Sequence, residues 1–336
     1  MSAFRSSLVG LAATTLDRTG LIGPLTMAAG HAARRQAFQI LSYHRVNDAG
    51  DPFFPSLPPH VFERHMRFLA RWYRVLTVEA LVQRAREDRL PPNAVAITFD
   101  DGYRDNLTTA APILLRYGLP ATFFLATGFI GTGEVPWFDR LAAAFKETTA
   151  STLVTPWGQC LDLRDERARL RALHLALERL KRQPCAEFTR RLEELLDGLG
   201  TPDQRAFKGL MLTWDDVRAL IGQGLSIGAH TVSHPILSRV GPEQAWQEIA
   251  GSRAMIDAAC GITPNAFAYP NGKREDYTLA IARLVRQAGF ACAVTTRFGL
   301  NTRHTSPWEL RRGGPWEHDL PTFALKLATL RLRGGE

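Results

Sequence analysis

The sequence predicts an α/β fold, a parallel sheet or barrel wound from alternating strands and helices. Three observations predict it. Short apolar runs alternate with helix-period segments along most of the 336 residues. Several of those runs are apolar almost throughout, as in parallel strands covered on both faces. Gly118, Gly224 and Gly289 each stand where a helix would end and a strand begin, which suits a left-handed cap.

Taken in chain order, residues 38–43 form the first apolar run and read as a strand. Helical patterns follow at 61–72 and 78–87. Residues 94–99 (Ala-Val-Ala-Ile-Thr-Phe) make the next strand, and the helical pattern 106–117 runs up to Gly118. Residues 121–125 and 225–229 are strands, the second preceded by a helical pattern at 214–223 and Gly224. A helix over 242–259, a strand at 266–269, a helix over 277–288 and a strand at 290–295 complete the alternation, which means a parallel sheet or barrel.

One stretch breaks the rhythm. Residues 138–207 contain no good strand but two helical patterns, with Leu170, Leu173, Leu177 and Leu180 on one face and Phe188, Leu192, Leu195 and Leu199 on another. This reads as a helical insertion within a domain spanning 37–320. Residues 321–336 are expected to be a C-terminal helix or tail. In residues 1–36, Leu21, Ile22, Leu25, Met27, Arg34 and Arg35 suit a peripheral amphipathic helix, packed on the barrel or lying on a membrane surface. The apolar run Leu8–Ala13 is short for a signal sequence, and Asp17 and Arg18 soon follow it. A cytoplasmic location, at most peripheral at the inner membrane, is therefore expected.

Composition narrows the function. Hydrophobic residues at 45% and charged residues at 22% are ordinary for a globular chain. Lys and Arg number 41 against 33 acids, a net charge of +8. The bases are dispersed among acids and no nucleic-acid motif appears, so the charge is a mild electrostatic bias and nucleic acid is not an expected partner. Cys160, Cys185, Cys260 and Cys292 have no CxxC spacing, which excludes a zinc ribbon and a dense disulfide framework and points to a reducing compartment. No apolar run approaches the roughly 20 residues of a spanning helix. No obligate protein partner is evident.

Two motifs carry the chemistry. In His230-Thr231-Val232-Ser233-His234-Pro235, a helical turn would aim both imidazoles at one point. In Thr98-Phe99-Asp100-Asp101-Gly102, paired carboxylates offer one ligand and one spare base. Both follow strands, and the carboxyl ends of parallel strands are where barrel active sites assemble. Two histidines and one carboxylate make a metal site with open positions, and a neighbouring base suits metal-assisted hydrolysis.

These motifs resemble the first two motifs of the NodB-homology polysaccharide deacetylases, carbohydrate esterase family 4, and the resemblance covers roughly residues 38–312. It implies an irregular (β/α)7 barrel with the helical insertion between the motifs. It also implies a hydrolase of carbon–nitrogen bonds other than peptide bonds. The expected reaction removes N-acetyl groups from amino sugars of a surface polysaccharide, an exopolysaccharide for instance, or of its lipid-linked precursor. The cofactor is one divalent metal ion, expected to be zinc, and the partner an N-acetylated glycan. By the same resemblance Asp100 is the catalytic base, and Asp101, His230 and His234 are the metal ligands.

The third family motif usually reads Arg-Pro-Pro-Tyr-Gly, and here the matching stretch is Phe267-Ala268-Tyr269-Pro270-Asn271-Gly272. Ala268 replaces the arginine that would pair with the base, with Lys273 or Arg274 as candidates to approach it instead. Asn271 matches the backbone oxyanion donor, and Tyr269 lies beside it. The usual late Leu-x-His is missing. The early Leu41-Ser42-Tyr43-His44-Arg45-Val46 resembles the opening of a permuted branch that includes poly-β-1,6-N-acetylglucosamine deacetylases. That makes His44 the expected general acid, with His304 and His318 as rivals. Trp137 and Trp214 are candidate sugar contacts. His31, His60, His65 and His174 read as surface residues. The runner-up function, resting on the altered third motif, is a catalytically silent glycan-binding barrel.

Overall fold

The computed structural model describes Ala13, Thr15 and residues 21–32, 37–313 and 317–332. Its strands are β1 (Ala37–Tyr43), β2 (Arg74–Val75), β3 (Ala94–Phe99), β4 (Thr122–Leu125), β5 (Thr152–Val154), β6 (Cys160–Asp162), β7 (Ser226–Ala229), β8 (Ala266–Ala268), β9 (Cys292–Val294) and β10 (Asn301–Thr302). Strands β1, β3, β4, β7, β8 and β9 pair in that order, all parallel, and β10 runs antiparallel to β1. Every residue of β3 and β4 is buried, since helices cover one face and the curled sheet covers the other.

A stretch with no strand signal completes the curl. Leu310 bridges Val294 of β9, and Gly313 bridges Leu41 of β1, both in parallel sense. The Thr295 N–H donates to the Leu310 carbonyl at 2.8 Å, and the Gly313 N–H donates to the Ile40 carbonyl at 2.9 Å. Residues 310–313 thus fill the gap between the last and first parallel strands and act as a seventh stave of the irregular barrel.

The stretch expected to be a helical insertion, residues 138–207, differs from that expectation in its contents. Its helices Trp137–Glu147, Glu166–Leu180 and Cys185–Leu199 enclose a second apolar core that includes Phe145, Leu173, Leu180 and Leu195. Between the first two helices sits the β5–β6 hairpin, which the sequence reading omits. Each of its strands buries one residue, Leu153 or Leu161, too few to produce a run or an alternation. Phe53, on the loop after β1, joins this second core, and Lys146 Nζ lies 2.6 Å from Asp51 Oδ2 on the same loop. Loop and insertion therefore form one wall.

At the amino-terminal end of the strands, helix Ile22–Ala32 packs on helix Leu320–Leu332. Asn93 donates to the Thr26 carbonyl, and Arg331 donates to the Ala94 carbonyl at 2.6 Å, tying both helices to the barrel. Leu8–Val9, Arg34 and Arg35 lie outside the described residues, as does the side chain of His31. No described helix is long and apolar enough to cross a membrane. The four cysteines are unbridged. His65 is a correction: it is fully buried in helix Pro59–Trp72, its ring stacked 3.9 Å from that of Phe323, and burial pushes its pKa down to about 4.

Candidate metal and catalytic site

A cavity of about 340 Å³ opens at the carboxyl ends of the parallel strands. His44 follows β1, Asp100 and Asp101 follow β3, His230 follows β7 and Tyr269 follows β8, and all five line it. One ligand atom from each of Asp101, His230 and His234 lies within 4.8 Å of the others. His230 Nε2 and His234 Nε2 are 3.5 and 3.4 Å from Asp101 Oδ1. His230 Nδ1 is 2.7 Å from the Ala268 carbonyl, which can only accept, so Nδ1 carries the proton and Nε2 presents its lone pair to the centre. His234 Nδ1 is buried without a hydrogen-bond partner. This donor set fits a divalent transition metal such as zinc.

The groups are electrostatically linked. Burial alone would raise the Asp101 carboxyl, but the adjoining His230, with His234 and His44, holds it far below the usual range. Burial lowers His234 to about 4, with His230 adding to the effect. Burial also opposes ionisation of His230, yet Asp101 and Asp100 outweigh it and raise its pKa.

The expected helical turn does not form. Residues 230–236 are irregular, with Thr231 at φ 66° and His234 at φ 57°. Left-handed conformations of non-glycine residues cost about 1–3 kcal/mol each and persist only where the surroundings enforce them. Glu248, buried in helix Pro242–Cys260, supplies that enforcement. Its Oε2 accepts from the Val232 and Ser233 N–H groups, each at 2.8 Å, and its Oε1 accepts from the Ser233 hydroxyl. The His234 N–H donates to Thr231 Oγ1 at 3.1 Å. Both imidazoles thus converge through a strained turn braced from behind. Asp101 (φ 75°) and Asn271 (φ 56°) are also left-handed, so four of the six left-handed non-glycine residues described lie at the site. Gly272 (φ 68°) could not carry a side chain, because a Cβ there would lie 2.8 Å from the Thr296 nitrogen.

The arginine missing from the third motif is supplied elsewhere. Arg312, on the irregular stave, reaches Asp100 with both arms of its guanidinium, Nη1 to Oδ1 and Nη2 to Oδ2, each at 2.7 Å. Its Nε donates to the Thr295 carbonyl at 2.9 Å and Nη1 to Thr98 Oγ1 at 3.2 Å. Burial pushes the Asp100 carboxyl up, but Arg312 foremost, with His230 and His44, holds it below the ordinary carboxylate value. Neither Lys273 nor Arg274 lines the cavity, and among the described residues no hydrogen bond or ion pair joins either to Asp100, so Arg312 takes the place expected of them. Nothing in the local sequence marks Arg312, which sits 212 residues from its partner.

His44 Nε2 stands 4.0 Å from Asp100 Oδ2 at the mouth of the cavity, half-buried, and Asn106 anchors its carbonyl at 2.7 Å. His304 and His318 lie away from the cavity walls. Asn271 lines the cavity, and nothing among the described residues accepts from its backbone N–H. Tyr269 packs face to face on Tyr277, and its hydroxyl donates to the Trp308 carbonyl at 2.9 Å. Trp137 lines a neighbouring cavity, not this one. Trp214 lines neither: capped by Thr213, it begins helix Trp214–Gly222 and packs on the main core, so its place is that of a helix-start residue. His174, expected at the surface, is exposed and stands on the insertion at the edge of the cavity. Asp139 is also in the wall, 5% exposed, and accepts from the Tyr103 hydroxyl at 2.8 Å. Burial raises its pKa to about 7, despite the opposing Tyr103 hydrogen bond and the Arg45 charge.

The family model described as polysaccharide deacetylase matches residues 87–292. A Bacillus subtilis (strain 168) relative, YxkH, whose name assigns it to the polysaccharide deacetylases, is 24% identical over 275 residues, covering 81% of this chain and 69% of its own. Among solved structures, the Streptococcus pyogenes deacetylase PplD in complex with acetate aligns with a TM-score of 0.58 at 19% identity, covering 89% of this chain and 98% of that one. IcaB from Ammonifex degensii aligns with a TM-score of 0.56 at 18% identity, covering 88% and 97%. At these identities the two structures speak to the fold, and they share the curled parallel sheet.

Proposed function

The chain belongs to the polysaccharide deacetylase family, hydrolases acting on N-acetyl amide bonds, and from this premise we propose a metal-dependent N-deacetylase of amino sugars in a surface polysaccharide or its lipid-linked precursor. The observation that carries the proposal is a buried carboxylate, Asp100, locked by Arg312 next to the Asp101, His230 and His234 donor set.

Asp101, His230 and His234 would hold the metal, which when bound supplies a Lewis acid for the acetamide carbonyl and lowers the pKa of water. Asp100, kept ionised by Arg312, takes a proton from the attacking water. The Asn271 N–H faces the oxygen that gains negative charge as the carbonyl carbon becomes tetrahedral. His44 donates a proton to the nitrogen as the carbon–nitrogen bond breaks. Water is consumed, and the products are acetate and the free amino sugar. The acetate held by the S. pyogenes structure is the acid this reaction releases.

The silent-barrel alternative drew on the arginine absent from the third motif. Arg312 fills that place from another stave, which favours the enzyme. The test is acetate release from N-acetylated glycan, polymer and lipid-linked fractions separately, before and after chelation. Release that chelator abolishes and zinc restores supports the proposal. No release from either fraction by metal-loaded protein would favour the silent barrel.

A further inference from the structure

A second cavity of about 150 Å³ adjoins the first. Lys181 and His234 belong to the walls of both, and the seam they share, the neck, lies between the insertion and the strained histidine turn. Trp137 and Phe188 of the insertion give the second cavity an aromatic side, and Arg239 stands on the opposite, barrel side. Its lining holds two cations, Lys181 and Arg239, and no carboxylate. Neither cation is engaged in an ion pair among the described residues. Lys181 is half-buried and Arg239 exposed; burial disfavours the Lys181 ammonium first, Glu178 opposes that, and Lys273 and Asp276 act more weakly in opposite senses.

A cation held partly out of water with too little counter-charge is costly unless a ligand supplies the missing charge. A neutral glycan passing the neck would bury Lys181 further and offer it hydroxyl and carbonyl acceptors but no counter-charge. We infer that the glycan runs from the catalytic cavity through the neck into the second cavity, and that the unit next to the reacting N-acetylated sugar carries an anionic group, carboxylate or phosphate, bound by Lys181 and Arg239. Trp137 offers the apolar surface on which the face of that unit packs. This assignment rests on the deacetylase reading of the first cavity, and it refines the substrate class to anionic glycans.

The test compares three probes of similar length by calorimetric binding and by acetate release. They are a neutral N-acetylglucosamine oligomer, an oligomer alternating N-acetylhexosamine with hexuronate, and an N-acetylated disaccharide ending in a diphosphate. The wild type should bind one anionic probe about tenfold or more tightly than the neutral one, as a charge-assisted contact supplies. Lys181→Met and Arg239→Gln should each weaken that probe several-fold, with much smaller changes for the neutral oligomer. The anionic probe that responds separates carboxylate from phosphate. Equal affinity for all three probes, or losses that ignore probe charge, would overturn the subsite. Charge-selective binding without acetate release would leave the subsite standing and overturn the deacetylase reading instead.

Discussion

Replacing Arg312 with methionine should shift the acid limb of the reaction. The guanidinium makes two 2.7 Å contacts with a carboxylate that is 2% exposed, so the pair is shielded from solvent. With charge centres about 4 Å apart and an effective dielectric constant of about 20, their attraction is about 4 kcal/mol. Burial already pushes Asp100 upward, and without Arg312 that push is opposed only by the histidines. In Arg312→Met the acid limb of kcat/KM should therefore move to higher pH, and Asp100 should be a weaker base at any pH on that limb. Arg312→Lys should shift it less but still lose rate, because an ammonium cannot hold both carboxylate oxygens in one plane. The assay is acetate release between pH 4 and 9, with circular dichroism confirming the fold. Breaking a buried pair also costs about 3–5 kcal/mol of stability, so the lysine variant guards against simple unfolding. The native pair stabilises the fold above the ordinary carboxylate pKa and loses that contribution as pH falls below it. An acid limb unchanged in a folded Arg312→Met would refute the reasoning.

Other positions give further expectations. Glu248→Ala removes the brace behind the histidine turn and should weaken zinc affinity by about 10–100-fold in a chelator competition; unchanged affinity would remove Glu248 from the positioning role. His44→Ala should slow turnover by about 10²–10⁴-fold with metal content intact, and unaltered kinetics would move the general acid elsewhere. Asp139 has a folded pKa raised to about 7, so its proton stabilises the fold fully only below the ordinary carboxylate value. That contribution is lost as pH rises through 7, with an upper bound of about 4 kcal/mol. Asp139→Asn should thus gain stability over the wild type between pH 5 and 8 in denaturant titrations, and parallel stability curves would contradict the shift.

What was legible in the sequence was what local pattern encodes. The run 94–99 announces β3 because both of its faces are covered, and the aspartate pair announces itself by standing just beyond it. The histidine pair is visible by spacing, but the turn that joins its members is not helical, since its shape is imposed by Glu248 from a distant helix. A signal for Glu248 does exist. It shares the buried face of its helix with Ala245, Ile249 and Ile256, where a carboxylate needs a partner. Arg312 offers no such pattern, because residues 310–313 form a stave through isolated bridges to two different strands and never a run. The β5–β6 hairpin is hidden for a similar reason, with one buried residue per strand.

The most direct test measures metal content and acetate release together in Asp100→Asn and His230→Ala. Asp100→Asn should retain about one zinc per chain and lose most turnover, whereas His230→Ala should lose both. An Asp100→Asn variant that binds zinc and stays fully active would contradict the assignment of Asp100 as the base on which the mechanism depends.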